Sequence, residues 1–197
     1  MRDVIIIGAG PAGITLSNFL DKSLDALIIE EGSKNYIKTK KFNFFGNSKK
    51  LGNFPYKNYS VNYAHINCYG GTSKVWSGWL KPFPKDCIKS WGISHKDINK
   101  YLKKTNIFLG LKDFNILRKK INKKFNNFFL NNFILEQWQY NRKVFLKKKV
   151  KHKILYNTKL LKVVLKKNKI DHILVSQNGV IKKLYSKKFI FSMGGIS

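Results

Sequence analysis

The sequence is short of acids: against 39 lysines and arginines it carries only 10 aspartates and glutamates, a formal charge of +29 over 197 residues. With so few carboxylates there is no acid–base pair, no nucleophile set beside a base, and no His/Cys/Asp/Glu grouping at metal-ligand spacing. Arginine is almost missing too. Only Arg2, Arg118 and Arg142 occur, and bidentate reading of bases or phosphates leans on arginine. The lysines run through the whole chain among Asn, Ile, Phe and Tyr, as a compositional drift would place them, so specific nucleic-acid binding is not the leading reading. The charge still favours non-specific adhesion to anionic surfaces. Two cysteines, Cys68 and Cys87, make neither a disulfide framework nor a CxxC metal pair. No charged-then-apolar leader and no apolar run of membrane-spanning length is present, so a cytoplasmic, reduced protein without a membrane span is expected.

What the chain does have is 43% hydrophobic and 14% aromatic residues, enough to bury a core. Val4 to Ile7 is a β-branched apolar run that reads as a buried parallel strand. Gly8-Ala9-Gly10-Pro11-Ala12-Gly13 follows it as GxGxxG. Gly8 is expected to make the tight turn, Gly10 to let the backbone approach a pyrophosphate, and Gly13 to let the next helix lie close, with no side chain tolerated at any of the three. A helix is expected from Pro11 to about Leu20, its free amides and positive dipole end facing the loop. A second buried strand, Ala26 to Ile29, ends at Glu30. That is the spacing at which a carboxylate takes the ribose hydroxyls of an adenine dinucleotide, and an acid there disfavours the 2′-phosphate of NADP.

Gly32 to Val61 reads as loop. Tyr69-Gly70-Gly71-Thr72-Ser73-Lys74-Val75-Trp76-Ser77-Gly78 packs paired glycines, hydroxyls and a tryptophan into one segment. It suits either amides closing on a ligand with Trp76 on a flat ring system, or a tight turn with a core tryptophan. Ser94 is placed to cap a helix whose third residue is Asp97, with Ile98, Tyr101 and Leu102 on its apolar face. Leu117, Ile121, Phe125, Phe128 and Phe129 fit one stripe of a second, basic helix, expected to dock on a sheet rather than on a membrane. From Ile154 onward the pattern turns to short strands, Ile154–Tyr156, Leu160–Leu165, Ile170–Val175, Val180–Tyr185 and Phe189–Phe191, with Lys167-Asn168-Lys169 and Asn178-Gly179 as turns.

Four segments, DVIIIGAGPAGITLSNFL with LIIEEG, GGTSKVWSGWLKPFP, WGISHKDINKY and KKFIFSMGGIS, resemble the FAD-dependent glucose-methanol-choline oxidoreductases, above all the branch acting on sugars. The resemblance spans nearly all of this chain but only the N-terminal part of a family enzyme. It implies an α/β fold: a Rossmann-like FAD-binding βαβ unit with an appended helical and β-meander portion, cut short at the C-terminus. The implied parts are a flavin segment over 1–95, a partial substrate-domain segment over 96–150, and a meander over 151–197 that returns to the nucleotide sheet. The cofactor contacts it implies are Gly8, Gly10, Pro11, Ala12, Gly13, Glu30, Gly32, Gly70, Gly71, Thr72, Ser73, Trp76, Ser77 and Gly78, with Leu160 beside the adenine and Phe189 to Gly195 revisiting the cofactor. Two positions depart from the family. Val75 stands where some sugar oxidases carry the flavin-linked histidine, which excludes covalent attachment there, and Asn67-Cys68-Tyr69 lacks the arginine often found ahead of the glycine pair.

Flavin oxidation of an alcohol needs a base for the hydroxyl proton while hydride passes to the ring. In the family that base is a histidine beyond position 197 of this numbering. His65, His95, His152 and His172 match no such motif: His95, at a helix start, and His172, in a meander strand, are expected to be ordinary surface residues, and His65, near the glycine pair, a structural histidine rather than a group approaching the flavin. Three functions follow. One is the FAD-binding portion of an oxidoreductase acting on CH–OH groups of a small-molecule sugar or alcohol, with a C-terminal half missing. The second is a complete, non-catalytic dinucleotide-binding module, and the third is a basic binder of nucleic acid or anionic surfaces. The first is the expectation.

Overall fold

A computed structural model of the chain describes residues 1–35, 66–76, 78–81, 83, 85–112, 118–125, 128–136, 139–140 and 149–194. In chain order the elements are β1 (Arg2–Ile7), α1 (Pro11–Phe19), β2 (Ala26–Ile29), a 3-10 turn (Gly71–Lys74), β3 (Trp79–Leu80), α2 (Lys85–Lys89), α3 (His95–Leu109), β4 (Arg118–Phe125) and β5 (Phe128–Glu136). They continue with β6 (Gln139–Tyr140), β7 (Lys153–Leu155), β8 (Thr158–Lys166), β9 (Lys169–Gln177), β10 (Val180–Leu184) and β11 (Ser186–Phe191). The chain divides into two units, Met1–Trp76 with Phe145–Ser197, and Ser77–Val144.

In the first unit the two apolar runs pair in parallel, Val4 opposite Ala26 through Ile7 opposite Ile29, and a four-stranded parallel sheet is completed in the order β11-β1-β2-β7. Strand periodicity sends alternate residues to opposite faces. Ile5, Ile7, Leu27 and Ile29 meet Ile173 and Val175 of β9, whereas Val4, Ile6, Ala26 and Ile28 are packed by Leu16 and Leu20 from the α1 side. Both faces are covered, which is why these strands read as unbroken apolar runs. Each fully buried Ile or Leu there contributes about 1.5–3 kcal/mol of transfer free energy. The cover on the β9 side is a three-stranded antiparallel meander, order β10-β9-β8. Its two hairpins turn at Lys167-Asn168 and Asn178-Gly179, and all four of these residues have positive φ, as two-residue turns between twisted strands require. The fold class is α/β with a Rossmann-like parallel sheet.

In the second unit α3 begins at the Ser94 cap, whose Oγ accepts the Asp97 amide at 3.1 Å, and ends at Gly110 in the left-handed region. β3 pairs with β6, Trp79 opposite Tyr140. The second helix expected from Leu117, Ile121, Phe125, Phe128 and Phe129 is not what forms. Residues 118–125 and 128–136 are antiparallel strands, Arg118 opposite Glu136 and Phe125 opposite Phe128, and Leu117 lies outside the described residues. A spacing of four fits a helix face and a strand face alike, since it is a multiple of two. The composition decides between them, because Phe- and Ile-rich runs interrupted at Asn126-Asn127 favour a hairpin. The expected loop from Gly32 to Val61 falls, beyond residue 35, outside the described residues, as do His65, Ser77 and Gly195.

Candidate functional site

The carboxyl ends of β1, β2 and β7 carry the Gly8–Gly13 loop and Glu30, the buried acid among the described residues. β1 leaves the sheet at Gly8, whose φ of +102° and amide bond to the Ile29 carbonyl (2.8 Å) set the turn. A Cβ on Gly8 would lie 2.5 Å from the Ser192 carbonyl oxygen, and one on Gly13 only 2.1 Å from the Gly8 carbonyl oxygen. These two glycines are demanded by the protein's own packing. Gly10 is not: it has an ordinary φ of −77°, and a Cβ there meets no protein atom within 4 Å. The expectation that no side chain fits at Gly10 therefore fails for the protein alone. The open space lies at the start of α1, where Gly10 caps the helix without a side-chain bond and Pro11 opens the first turn. A first helical turn leaves its N–H groups without intrahelical acceptors and carries the positive dipole end, so the opening suits an anion that reaches the backbone.

Glu30 follows β2 and is 6% exposed. One carboxylate oxygen accepts the Ala9 amide and the other the Gly32 amide, each at 2.8 Å. An ionised carboxylate has about four acceptor positions. Two are filled by the backbone, so Glu30 holds the glycine loop and retains acceptor capacity for hydroxyls. The Glu30 amide bonds Leu155 and its carbonyl accepts the Thr158 amide, both at 2.9 Å, which ties the end of β7 to the same corner.

The Gly70–Lys74 segment closes on this loop. The Gly70 amide donates to the Ala9 carbonyl (2.8 Å), and a Cβ on Gly71 would lie 3.3 Å from the Gly10 Cα. Thr72 and Ser73 turn inward: Thr72 Oγ1 accepts the Ile66 amide at 3.3 Å, and buried Ser73 donates to the Gly70 carbonyl. Their hydroxyls hold the loop's shape. Gly32 passes so close to Asn67 that a Cβ would sit 1.9 Å from its carbonyl oxygen. Gly8, Gly10, Pro11, Ala12, Gly13, Glu30, Gly32, Gly70 and Gly71 thus form one corner of the first unit. Trp76 is half-buried in the same unit. Leu160 packs on the core cluster around Ile173, the face of the sheet opposite Glu30, while Gly78 belongs to the second unit.

Three residues given no role of their own in the sequence, Ser192 within the Phe189–Gly195 stretch, Tyr69 ahead of the glycine pair, and Tyr156, complete the corner. Ser192, after β11, places its Oγ 2.9 Å from the carbonyls of both Ile7 and Gly8, so its single O–H proton is shared between them and fixes the turn from outside it. Tyr156 follows β7 and meets Tyr69 edge to face, ring centres 6.4 Å apart. Burial raises the pKa of both phenols, and the Glu30 charge adds to the effect at Tyr156, so both rings stay neutral. Burial likewise raises that of the Cys68 thiol, against the pull of Lys74, so the buried Cys68 is held in its neutral form. Among the described residues there is no cluster of His, Cys, Asp and Glu able to hold a metal, and no helix long and apolar enough to cross a membrane.

No protein-family model matches the chain, and no curated protein matches it. Solved structures do. Pyridoxine 4-oxidase from Mesorbium loti superimposes with a TM-score of 0.57 at 13% identity, over 98% of this chain and 50% of that one. Formate oxidase gives 0.60 at 12% identity, over 98% of this chain and 45% of that one. The chain spans about half the length of these structures. The fold they share with it is the one expected from the glucose-methanol-choline resemblance.

Proposed function

We propose that the chain binds FAD and forms the nucleotide-binding portion of an oxidoreductase that acts on a CH–OH group of a small alcohol or sugar. The observation that carries the reading is Gly10. Its neighbours Gly8 and Gly13 are forced by contacts within the protein, whereas Gly10 faces open space at a helix start, with Glu30 held 2.8 Å from the next amide back along the loop. A diphosphate in that space and a ribose at Glu30 fit the donor set and the acceptor set in the order an adenine dinucleotide presents them. The residues that would hold it are the backbone of Gly10 to Gly13 and the Glu30 carboxylate, with Gly70 and Gly71, whose amides are taken by the Ala9 and Cys68 carbonyls, closing on the loop as its wall.

Bound FAD would supply the hydride-accepting ring. This chain's part is to bind and orient: α1 sets the diphosphate, Glu30 sets the ribose, and Ser192 holds the turn between them. The described histidines of the first unit do not serve as the base. His152 precedes β7, at the end of that strand away from Tyr156, and His172 lies within β9. A second portion of protein supplying the base agrees with the half-length span over the oxidases. The test is reconstitution: chain incubated with FAD and passed through gel filtration should elute with stoichiometric flavin absorbance. Colourless protein that is folded by circular dichroism defeats the reading.

A further inference from the structure

The stretch from Ile7 to Gly10 has four backbone carbonyls, and each is held by a donor. Ile7 accepts the Ser192 amide (2.8 Å), Ala9 the Gly70 amide (2.8 Å) and Gly10 the Ile14 amide (3.0 Å). The Gly8 carbonyl has only a side chain among the described residues: the Ser192 hydroxyl, 2.9 Å away, brought from 184 positions along the chain. Its oxygen lies beside Gly13, where a Cβ would come within 2.1 Å of it, and outside the 4 Å around the open position at Gly10. The amides sort the other way. Glu30 takes that of Ala9 at 2.8 Å, while those of Gly10, Ala12 and Gly13 have no acceptor among the described residues. The peptide unit between Gly8 and Ala9 is thus held at both ends, its carbonyl by Ser192 and its N–H by Glu30. Gly8, at φ +102° and without a Cβ, leaves that unit free to rotate on its own account, so its direction depends on these two partners.

We propose that Ser192 is a positioning residue for the diphosphate: its hydroxyl fixes the Gly8 carbonyl dipole away from the opening at Gly10, so that the loop presents donors alone to an anion. The inference rests on the dinucleotide reading above. A carbonyl without its donor repels phosphate oxygens, and in a partly buried site that repulsion is weakly screened. The loss of one neutral hydrogen bond corresponds to about a tenfold change in affinity. The effect falls on the charged part of the ligand, because a nucleoside without phosphate carries nothing for the carbonyl to repel. A merely structural serine would act otherwise, loosening the corner for charged and neutral ligands alike.

The experiment titrates FAD, ADP and adenosine into wild type, Ser192→Cys and Ser192→Ala at about 300 mM NaCl, which removes most non-specific attraction of anions. Urea unfolding of each protein is measured beside it. A thiol is close to the hydroxyl in shape and a weaker donor, so the series grades the hydrogen bond with little change in packing. Affinity for FAD and ADP should fall in the order Ser, Cys, Ala, to about a tenth of wild type in Ser192→Ala, while adenosine affinity stays within about twofold. Unchanged FAD affinity in folded Ser192→Ala overturns the assignment. So does a loss shared equally by adenosine, and so does failure of both variants to fold, which would make Ser192 a support of the fold. If wild type binds no FAD, the dinucleotide reading itself falls and this inference with it.

Discussion

Glu30 is a buried carboxylate whose two oxygens each take a backbone amide, one from Ala9 and one from Gly32. Glu30→Ala leaves both amides without an acceptor, and since each unmet buried donor costs about 1–3 kcal/mol, urea unfolding should register a loss of about 2–6 kcal/mol with no ligand present. Glu30→Gln is expected to be nearly as damaging, because it turns a donor toward an amide that needs an acceptor. At the glycines the expectation is opposite in kind. Gly13→Ala should destabilise the fold by about 2 kcal/mol or more, since its Cβ would meet the Gly8 carbonyl oxygen at 2.1 Å, and overpacking against backbone has no cheap relief. Glu30 and the glycines were legible in the sequence because strand, loop and acid keep fixed spacings. The return of the Phe189–Gly195 stretch was expected from the family resemblance, but the contact of Ser192 with the turn and the place of Tyr156 were not, because each depends on which strand ends lie side by side, and β7 and β11 reach β2 and β1 from more than a hundred residues away.

Among the elements, the strands buried on both faces were legible as apolar runs and the meander as alternation with positive-φ turns. β4 and β5 were read as a helix because a stripe at every fourth residue satisfies both periods, and only their pairing separates them. α3 was legible from its cap. Ser94→Ala removes the acceptor for the Asp97 amide and should cost about 1 kcal/mol, seen as lower helicity and an earlier melt. Pairing of β1 with β11 carries an ion pair at its open end, Lys187 Nζ to Asp3 Oδ1 at 2.7 Å. The bond from Lys187, with a second from the Asp25 amide, holds the Asp3 carboxyl below the ordinary aspartate range, and Asp3 in turn holds the Lys187 ammonium above the ordinary lysine value. A depressed acid contributes stability above its unfolded value and loses it as pH falls through the folded one. A raised lysine contributes below its unfolded value and loses it as pH rises through the folded one. Lys187→Met should therefore flatten the decline at both limbs, and the acid limb of an unfolding-against-pH curve should begin nearer the ordinary aspartate range.

Over the whole molecule the +29 charge acts on everything at once. Self-repulsion of that size opposes the compact state, and salt screens it, so the melting temperature should rise between 50 and about 300 mM NaCl while adhesion to DNA or anionic resin falls away. The proposed cofactor site should behave differently, because its groups are backbone amides and a buried carboxylate, which salt screens far less. Gly10 separates the two. Gly10→Val should melt within a degree or two of wild type, since its side chain begins in open space, and should keep the salt-dependent adhesion unchanged. The most direct measurement is calorimetric titration of FAD into both proteins at 300 mM NaCl. The account predicts saturable binding to wild type and a loss of at least about a hundredfold in folded Gly10→Val. Equal FAD affinity in the two proteins, or none in wild type, would contradict it.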